Sequence, residues 1–263
     1  YDLRAMGLNS ADYIHTVTEC MKLAFADREF YYGDPDFVKV PLRMLLSKTY
    51  AKERRLLVDP RAASMDLRPG GMEAIRPKSV LDVNAEFAKG GKHGDTTKLE
   101  VIDAAGNMVS ATPSGGWLPS SPVIPGLGFP LGTRAQMFSL VEGHPNCLEP
   151  GKRPRTTLTP TLAFTKSGVG MAFGSPGGDA QDQWALEFFL NVVEFGMSLQ
   201  EAVEAPTFWT DHFPSSFYPR TADPGSLNIE KRIPAAVIEE LRALGHVAWD
   251  HPEWSGGNTH AAS

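Results

Sequence analysis

The chain has 263 residues, 42% hydrophobic and 21% charged, with a formal net charge of -6; that is long enough to bury a full core in one or two domains. An acidic balance (sequence pI ≈ 5.7) argues against a general nucleic-acid or anionic-membrane binder, and no apolar run approaches the roughly 18–20 residues of a transmembrane helix. Cys20 and Cys147, two in all, lie far apart without a CxxC, which excludes a disulfide framework, an iron–sulfur cluster and a thiolate zinc site.

The chain opens on Tyr1 and stops in Gly256-Gly257-Asn258-Thr259-His260-Ala261-Ala262-Ser263, a turn entering a new element. The expectation is a fragment, incomplete at both ends. Ile14, Val17, Met21, Ala24 and Phe25 fall at helical spacing behind Asn9 or Ser10 as N-cap, and Gly33-Asp34-Pro35 ends that helix. A second helix is expected from Pro41 to about Leu57. From Asp59 to Asp95 the pattern dissolves into Pro, Gly, Lys and Arg, too long for an ordinary connection: a linker, or a segment with a job.

Strands follow. Leu99 and Val101, then Met108-Val109, flank the turn signal Ala104-Ala105-Gly106-Asn107. Thr161–Phe164 and Val169–Phe173 pair around Lys166-Ser167-Gly168. Gly174-Ser175-Pro176-Gly177-Gly178 leads into a helix over about Asp182–Val193. Ser198-Leu199-Gln200-Glu201 fits a capping box. Leu227–Glu230 reads as a strand, and Pro234–Leu244 as a helix closed by Gly245. No repeat is visible, and the mixture predicts helices layered around β-sheet.

Standard nucleotide motifs fail: Gly168-Val169-Gly170 lacks the third glycine, and Gly151-Lys152 is followed by Arg153. The seven histidines form no HExxH, so no metal site is expected. Two places carry chemistry. At His93-Gly94-Asp95-Thr96-Thr97 the plain reading is a polar loop entering a sheet. The sharper one is a self-cleaving junction: Thr96 Oγ attacks the Asp95 carbonyl, the ester hydrolyses, and Thr96 becomes an N-terminus carrying nucleophile and base together. Its free amine has an ordinary pKa of about 7.7–8.0, near enough to neutrality to take a hydroxyl proton. The other place is Ser175-Pro176-Gly177-Gly178-Asp179, where two glycines before a helix leave N–H groups suited to a developing oxyanion.

At these residues the chain resembles the gamma-glutamyltransferase family of N-terminal-nucleophile hydrolases. Ala24-Phe25-Ala26-Asp27-Arg28 with Gly33-Asp34-Pro35-Asp36-Phe37-Val38 is similar to the end of that family's large subunit. Thr96-Thr97, Val101, Asp103, Gly106-Asn107 and Val109-Ser110 resemble the start of its small subunit, and Lys152-Arg153-Pro154, Thr159-Pro160-Thr161 and Gly174–Gly178 continue in order. The resemblance implies an α+β fold, a four-layer αββα sandwich, with residues 1–95 ending the large subunit (59–95 as linker) and 96–263 forming the small, catalytic one without its last part. It implies Thr96 as nucleophile, Gly177 and Gly178 as oxyanion hole, Ser114 hydrogen-bonding the nucleophile, and Thr156 and Thr157 binding a substrate carboxylate. It further implies cleavage between Asp95 and Thr96 into a heterodimer, possible pairing of heterodimers, and no metal or organic cofactor.

The departures are informative. Lys98 stands where the family has His. The residues that hold a glutamyl ammonium, Asn, Gln and Asp, correspond here to Gly116, Arg134 and Met137. Losing the acid and gaining Arg134 rejects an ammonium and favours a second anion through the planar guanidinium fork, although a structural surface role for Arg134 stays open. Ser110–Trp117 and Leu131–Phe138 look most like the oxamate amidohydrolase branch, which implies a small anionic amide as substrate and a cytoplasmic place; Trp117 and Met137 would shorten the pocket. A gamma-glutamyl hydrolase or transferase is the alternative, and an uncleaved, inactive ligand-binding relative is the third reading.

Overall fold

The computed structural model describes residues 1–71, 96–115, 121–168 and 170–263. Asp95, Gly116, Trp117, Val169 and most of the expected linker lie outside the described residues.

After a short α1 (Leu3–Met6) comes α2, Ala11–Tyr31. Ser10 supplies its N-cap, accepting from Tyr13 N at 3.1 Å, whereas Asn9 turns away at φ 54°. The helix is buried on nearly every side. Tyr13, Ile14, Val17, Met21 and Phe25 pack against Phe208, Phe213, Leu227, Ile229 and Leu241, each such side chain contributing roughly 1.5–3 kcal/mol. Glu19, Lys22, Asp27, Arg28 and Glu29 are buried too, which the apolar spacing alone does not reveal.

The expected helix over Pro41–Leu57 is two: α3 (Leu42–Leu45) and α4 (Lys48–Arg55). Ser47 breaks it, its hydroxyl accepting from Tyr50 N at 3.1 Å, because serine competes with the helical ladder and prefers to cap. Residues 59–71 are docked coil rather than free linker. Glu19 accepts from Ser64 N (3.2 Å) and Arg68 Nη2 (2.9 Å), and Asp27 from Gly70 N (2.7 Å).

Two β units follow. β1 (Leu99–Ile102) and β2 (Met108–Ala111) form an antiparallel hairpin. β3 (Thr161–Phe164) and β4 (Gly170–Gly174) form another, joined along β4 by β8 (His260–Ala262). The hairpins pack face to face through Ser110, which accepts from Thr161 N (3.1 Å) and donates to Phe173 O (3.3 Å). On the other face of β3–β4–β8, α5 (Gln181–Val193) and α6 (Leu199–Glu204) cover Met171 and Phe173 with Ala185, Phe188 and Ala202. Ser198 and Glu201 form the expected capping box. A separate sheet joins β5 (Phe208–Trp209) antiparallel to β6 (Ser226–Glu230), and β6 parallel to β7 (Val247–His251), with α7 (Ala235–Ala243) as the crossover. Among the described residues no helix is long and apolar enough to cross a membrane.

Under α2 three histidines gather. His15 Nε2 faces Asp59 O at 2.8 Å, an acceptor only, so Nδ1 accepts from His246 Nε2, also at 2.8 Å. His212 Nδ1 accepts from Gly225 N at 2.9 Å and its Nε2 donates to Asp66 O. Burial, reinforced by the Lys22 ammonium, pushes His212 down to about 4 and His246 to about 3. Folding therefore favours the neutral rings. Their contribution is complete above the ordinary histidine value and is lost as pH falls from 6.5 through about 4 and then 3. At roughly 1.4 kcal/mol per pH unit of displacement, several kcal/mol of acid sensitivity is expected. Urea unfolding at pH 7, 5 and 4 measures it; His212→Gln and His246→Gln should flatten the profile, and curves parallel to wild type would refute the assignment.

Candidate active site

The β1–β2 turn sets the register. Asp103 Oδ1 accepts from Ala105 N and Asn107 N, both at 2.9 Å, and Gly106 takes φ 81°, a conformation open to glycine. This fixes Leu99 opposite Ala111. Continuing outward, Thr97 N donates to Pro113 O at 3.0 Å, and Thr96 falls opposite Ser114. Their hydroxyl oxygens are 2.7 Å apart. The expected nucleophile and its expected hydrogen-bond partner thus meet because of a turn seven residues away.

Lys98 follows Thr97 and points between the hairpins. Its side chain is wholly buried, with Nζ 2.6 Å from both Ser110 Oγ and Glu100 Oε1. A Cβ at Gly174 would collide with Lys98 Cε, so the glycine that ends β4 makes room for the lysine just before β1.

Beyond Gly174 the chain turns through Gly177 (φ 135°) and Gly178 (φ 59°) into a 3-10 turn, Gly178–Ala180, and α5. A Cβ on Gly177 would collide with the Trp184 ring, and one on Gly178 would lie 3.2 Å from Phe217 Cε2. Ser175 Oγ donates to Pro176 O at 2.7 Å. With the Gln181 amide turned to satisfy its neighbours, its oxygen accepts from Gly178 N at 3.2 Å.

Arg134 lies in a 3-10 turn, Arg134–Met137. A Cβ on Gly115 would be 2.5 Å from its Nε, so its stem lies against the backbone next to Ser114. Its guanidinium carbon is 6.0 Å from the Phe217 ring centre, the ring that packs on Gly178. Arg134, half-buried, thus lies against the backbone beside Ser114 and faces the ring that packs on Gly178. Met137 is fully buried. The two expected carboxylate binders differ: the Thr156 hydroxyl accepts from Leu158 N (3.1 Å) in an exposed segment, while the Thr157 hydroxyl is buried with no hydrogen-bond partner among the described residues.

The match to the family model named Gamma-glutamyltranspeptidase runs over residues 1–263. The chain belongs to the gamma-glutamyltranspeptidase family. It is 35% identical to the acylase ACY 1 proenzyme of Pseudomonas sp. (strain SE83) over 258 residues, 98% of this chain and 41% of that protein. It is 32% identical to the glutathione hydrolase proenzyme of Pseudomonas sp. (strain A14), over 82% of this chain and 37% of that protein. Among solved structures, LmbA2991HD is similar at 49% identity and a TM-score of 0.83, over 97% of this chain and 45% of that one. The chain thus spans less than half the length of these relatives.

In this gamma-glutamyltranspeptidase-family chain, a buried charge network joins α2 to the glycine turn. Burial pushes the Asp179 carboxyl up, but Arg28 Nη2 (2.7 Å), Ser216 Oγ (2.6 Å) and Ser216 N (2.7 Å) outweigh it and hold the group below the ordinary carboxylate range. Glu29, equally buried, is held low against the same penalty by Arg155 (2.8 Å), His144 (3.0 Å) and Arg220. Asp182, 3.5 Å from Arg28, is raised by burial to about 6. A cleft of about 450 Å³ opens beside the network, lined by Arg28, Asp34, Arg155, Thr156 and Asp182, and not by Thr96 or the glycine turn. The motifs around Arg28 and Asp179 do not reveal their partnership: α2 carries Asp12, Glu19, Lys22, Asp27 and Glu29 as well, so nothing local singles Arg28 out.

No metal site was expected, and among the described residues one ligand-like group forms: His15, Glu19 and His246. Most of its ligand atoms are already engaged, though His246 Nδ1 is buried with no hydrogen-bond partner among the described residues. Glu19 accepts from the Lys22 ammonium at 2.7 Å as well as from Arg68, and the two rings hydrogen-bond each other. A cation there would have to displace Lys22.

Proposed function

We propose that this chain is the catalytic portion of a self-processing amidohydrolase that uses Thr96 as an N-terminal nucleophile on a small anionic amide such as oxamate. The observation that carries the reading is the 2.7 Å contact between Thr96 Oγ1 and Ser114 Oγ, with Arg134 packed beside it. Cleavage between Asp95 and Thr96 puts residues 1–95 and 96–263 on two chains that stay together as a heterodimer. The relatives named as proenzymes support that processing. A four-layer αββα arrangement is supported by the outward face of β1–β2: Leu99, Val101 and Val109 are about half exposed while Lys98 and Ser110 point inward, so this apolar face suits a further covering layer.

In the proposed reaction, the Thr96 amine takes the hydroxyl proton as Oγ1 attacks the amide carbon. The Gly177 and Gly178 N–H groups, the latter released by Gln181, hold the oxyanion. The proton passes to the departing ammonia, and water then hydrolyses the ester to release oxalate. Arg134 with Thr157, and Thr156 at its side, binds the carboxylate. No metal or organic cofactor enters these steps.

The test is ammonia release from oxamate by the full-length protein. Arg134→Gln should raise KM for oxamate by about 10- to 100-fold, the worth of a hydrogen bond to a charged group, with chain cleavage intact. A second reading, a gamma-glutamyl hydrolase or transferase, is favoured by the glutathione hydrolase relative. Saturable turnover of a gamma-glutamyl anilide without ammonia release from oxamate would select it. One undivided, inactive chain by intact mass would instead mark a relative that only binds.

A further inference from the structure

We propose that Arg28 is a positioning residue for the oxyanion site: its guanidinium, through Asp179 and Ser216, sets the Gly177–Gly178 turn. This rests on the reading of that turn as the place where the oxyanion forms. Asp179 directly follows Gly178 in the 3-10 turn. One carboxylate oxygen accepts from Arg28 Nη2 (2.7 Å) and Ser216 Oγ (2.6 Å), the other from Ser216 N (2.7 Å). Phe217, the next residue, packs against both Gly178 and Arg134. One buried carboxylate therefore ties the glycine turn to the Ser216–Phe217 segment that Arg134 faces.

Arg28 is itself held from several directions. Its guanidinium carbon lies 4.3 Å from the Phe25 ring centre and 5.2 Å from that of Phe213, rings stacked on each other at 3.9 Å. Its Nη1 reaches Asp182 at 3.5 Å, on the first turn of α5. Arg155 approaches from the far side, donating to Ser216 Oγ (3.3 Å) and to the Arg28 carbonyl (3.4 Å). A glycine turn has few intrinsic constraints, so its N–H groups point where neighbours send them. Here the neighbour comes from α2, which a break before Thr96 would put on a separate polypeptide. The first chain would then contribute to catalysis by orienting a turn of the second.

The experiment compares Arg28→Met, Asp179→Asn and the double variant in the full-length protein. Readouts are kcat and KM on whichever amide the wild type turns over, melting temperature, and hydrogen exchange of the peptide covering residues 174–181 without substrate. Each single change removes the closest partner of a buried charge and lowers the melting temperature; the double change removes both charges and restores part of it, Asp182 alone having lost its 3.5 Å contact with Arg28. If Arg28 positions the turn, kcat falls about 10- to 100-fold with KM nearly unchanged. It stays low in the double variant even as the melting temperature recovers, and the 174–181 peptide exchanges faster while 226–230 does not. Recovery of kcat together with melting temperature, or unchanged exchange at 174–181, overturns the proposal. Failure of the cleaved wild type to hydrolyse any amide overturns the catalytic reading instead, and the exchange arm still decides what Arg28 does to the turn.

Discussion

Thr96→Ala is expected to leave one undivided chain and to lower amide turnover by about 10³- to 10⁶-fold, the range that loss of a covalent nucleophile produces. Both effects have one cause: without Oγ1 there is neither an attack on the Asp95 carbonyl nor a carrier for the acyl group. Ser114 does not replace it, since an undivided chain has no free α-amine at residue 96 to act as base and Ser114 serves as the hydrogen-bond partner at 2.7 Å. Thr96→Ser keeps the hydroxyl and should cleave, more slowly because serine lacks the methyl group that restricts χ1. Intact mass and ammonia release measure the two effects separately. A cleaved and active Thr96→Ala protein would end the N-terminal-nucleophile reading.

Gly177→Ala is expected to cost about 10²- to 10³-fold in kcat, comparable to removal of one oxyanion donor. At φ 135° the backbone is in a region that L side chains avoid, and the new Cβ would meet the Trp184 ring, which α5 holds in the core against Trp209. The turn has to move, and its N–H groups move with it. Gly178→Ala is the internal control. At φ 59° its backbone suits a left-handed residue at about 1–2 kcal/mol, and its Cβ meets only the Phe217 edge at 3.2 Å. A milder loss is expected there, with melting temperatures reported for both. Wild-type kcat in Gly177→Ala would remove this turn from the mechanism.

The local elements were legible because their causes are local. Ser10, Ser198 with Glu201, and Gly245 mark helix ends by chemistry that depends on neighbours in sequence. The helix over Pro41–Leu57 was misjudged at Ser47, where a cap forms inside an otherwise helical composition. The segment after Asp59 read as linker because coil that docks through its backbone leaves no periodic pattern. Ser64 and Gly70 bind α2 through main-chain groups that every sequence carries.

Membership of the gamma-glutamyltranspeptidase family and the glycine turn were legible in the sequence, and the Thr96–Ser114 pair followed from the resemblance to that family. A tight turn at Asp103–Asn107 and strict β register require that Thr96 meet Ser114. The burial of Arg28, Glu29, Arg155 and Asp179 did not come from it. Charged residues default to the surface unless paired, and these partners lie more than a hundred residues apart in the chain. Only the packing of α2 against α5 and the 213–217 segment brings them together, because a buried charge is tolerable solely where a distant opposite charge and its hydrogen-bond donors converge on it.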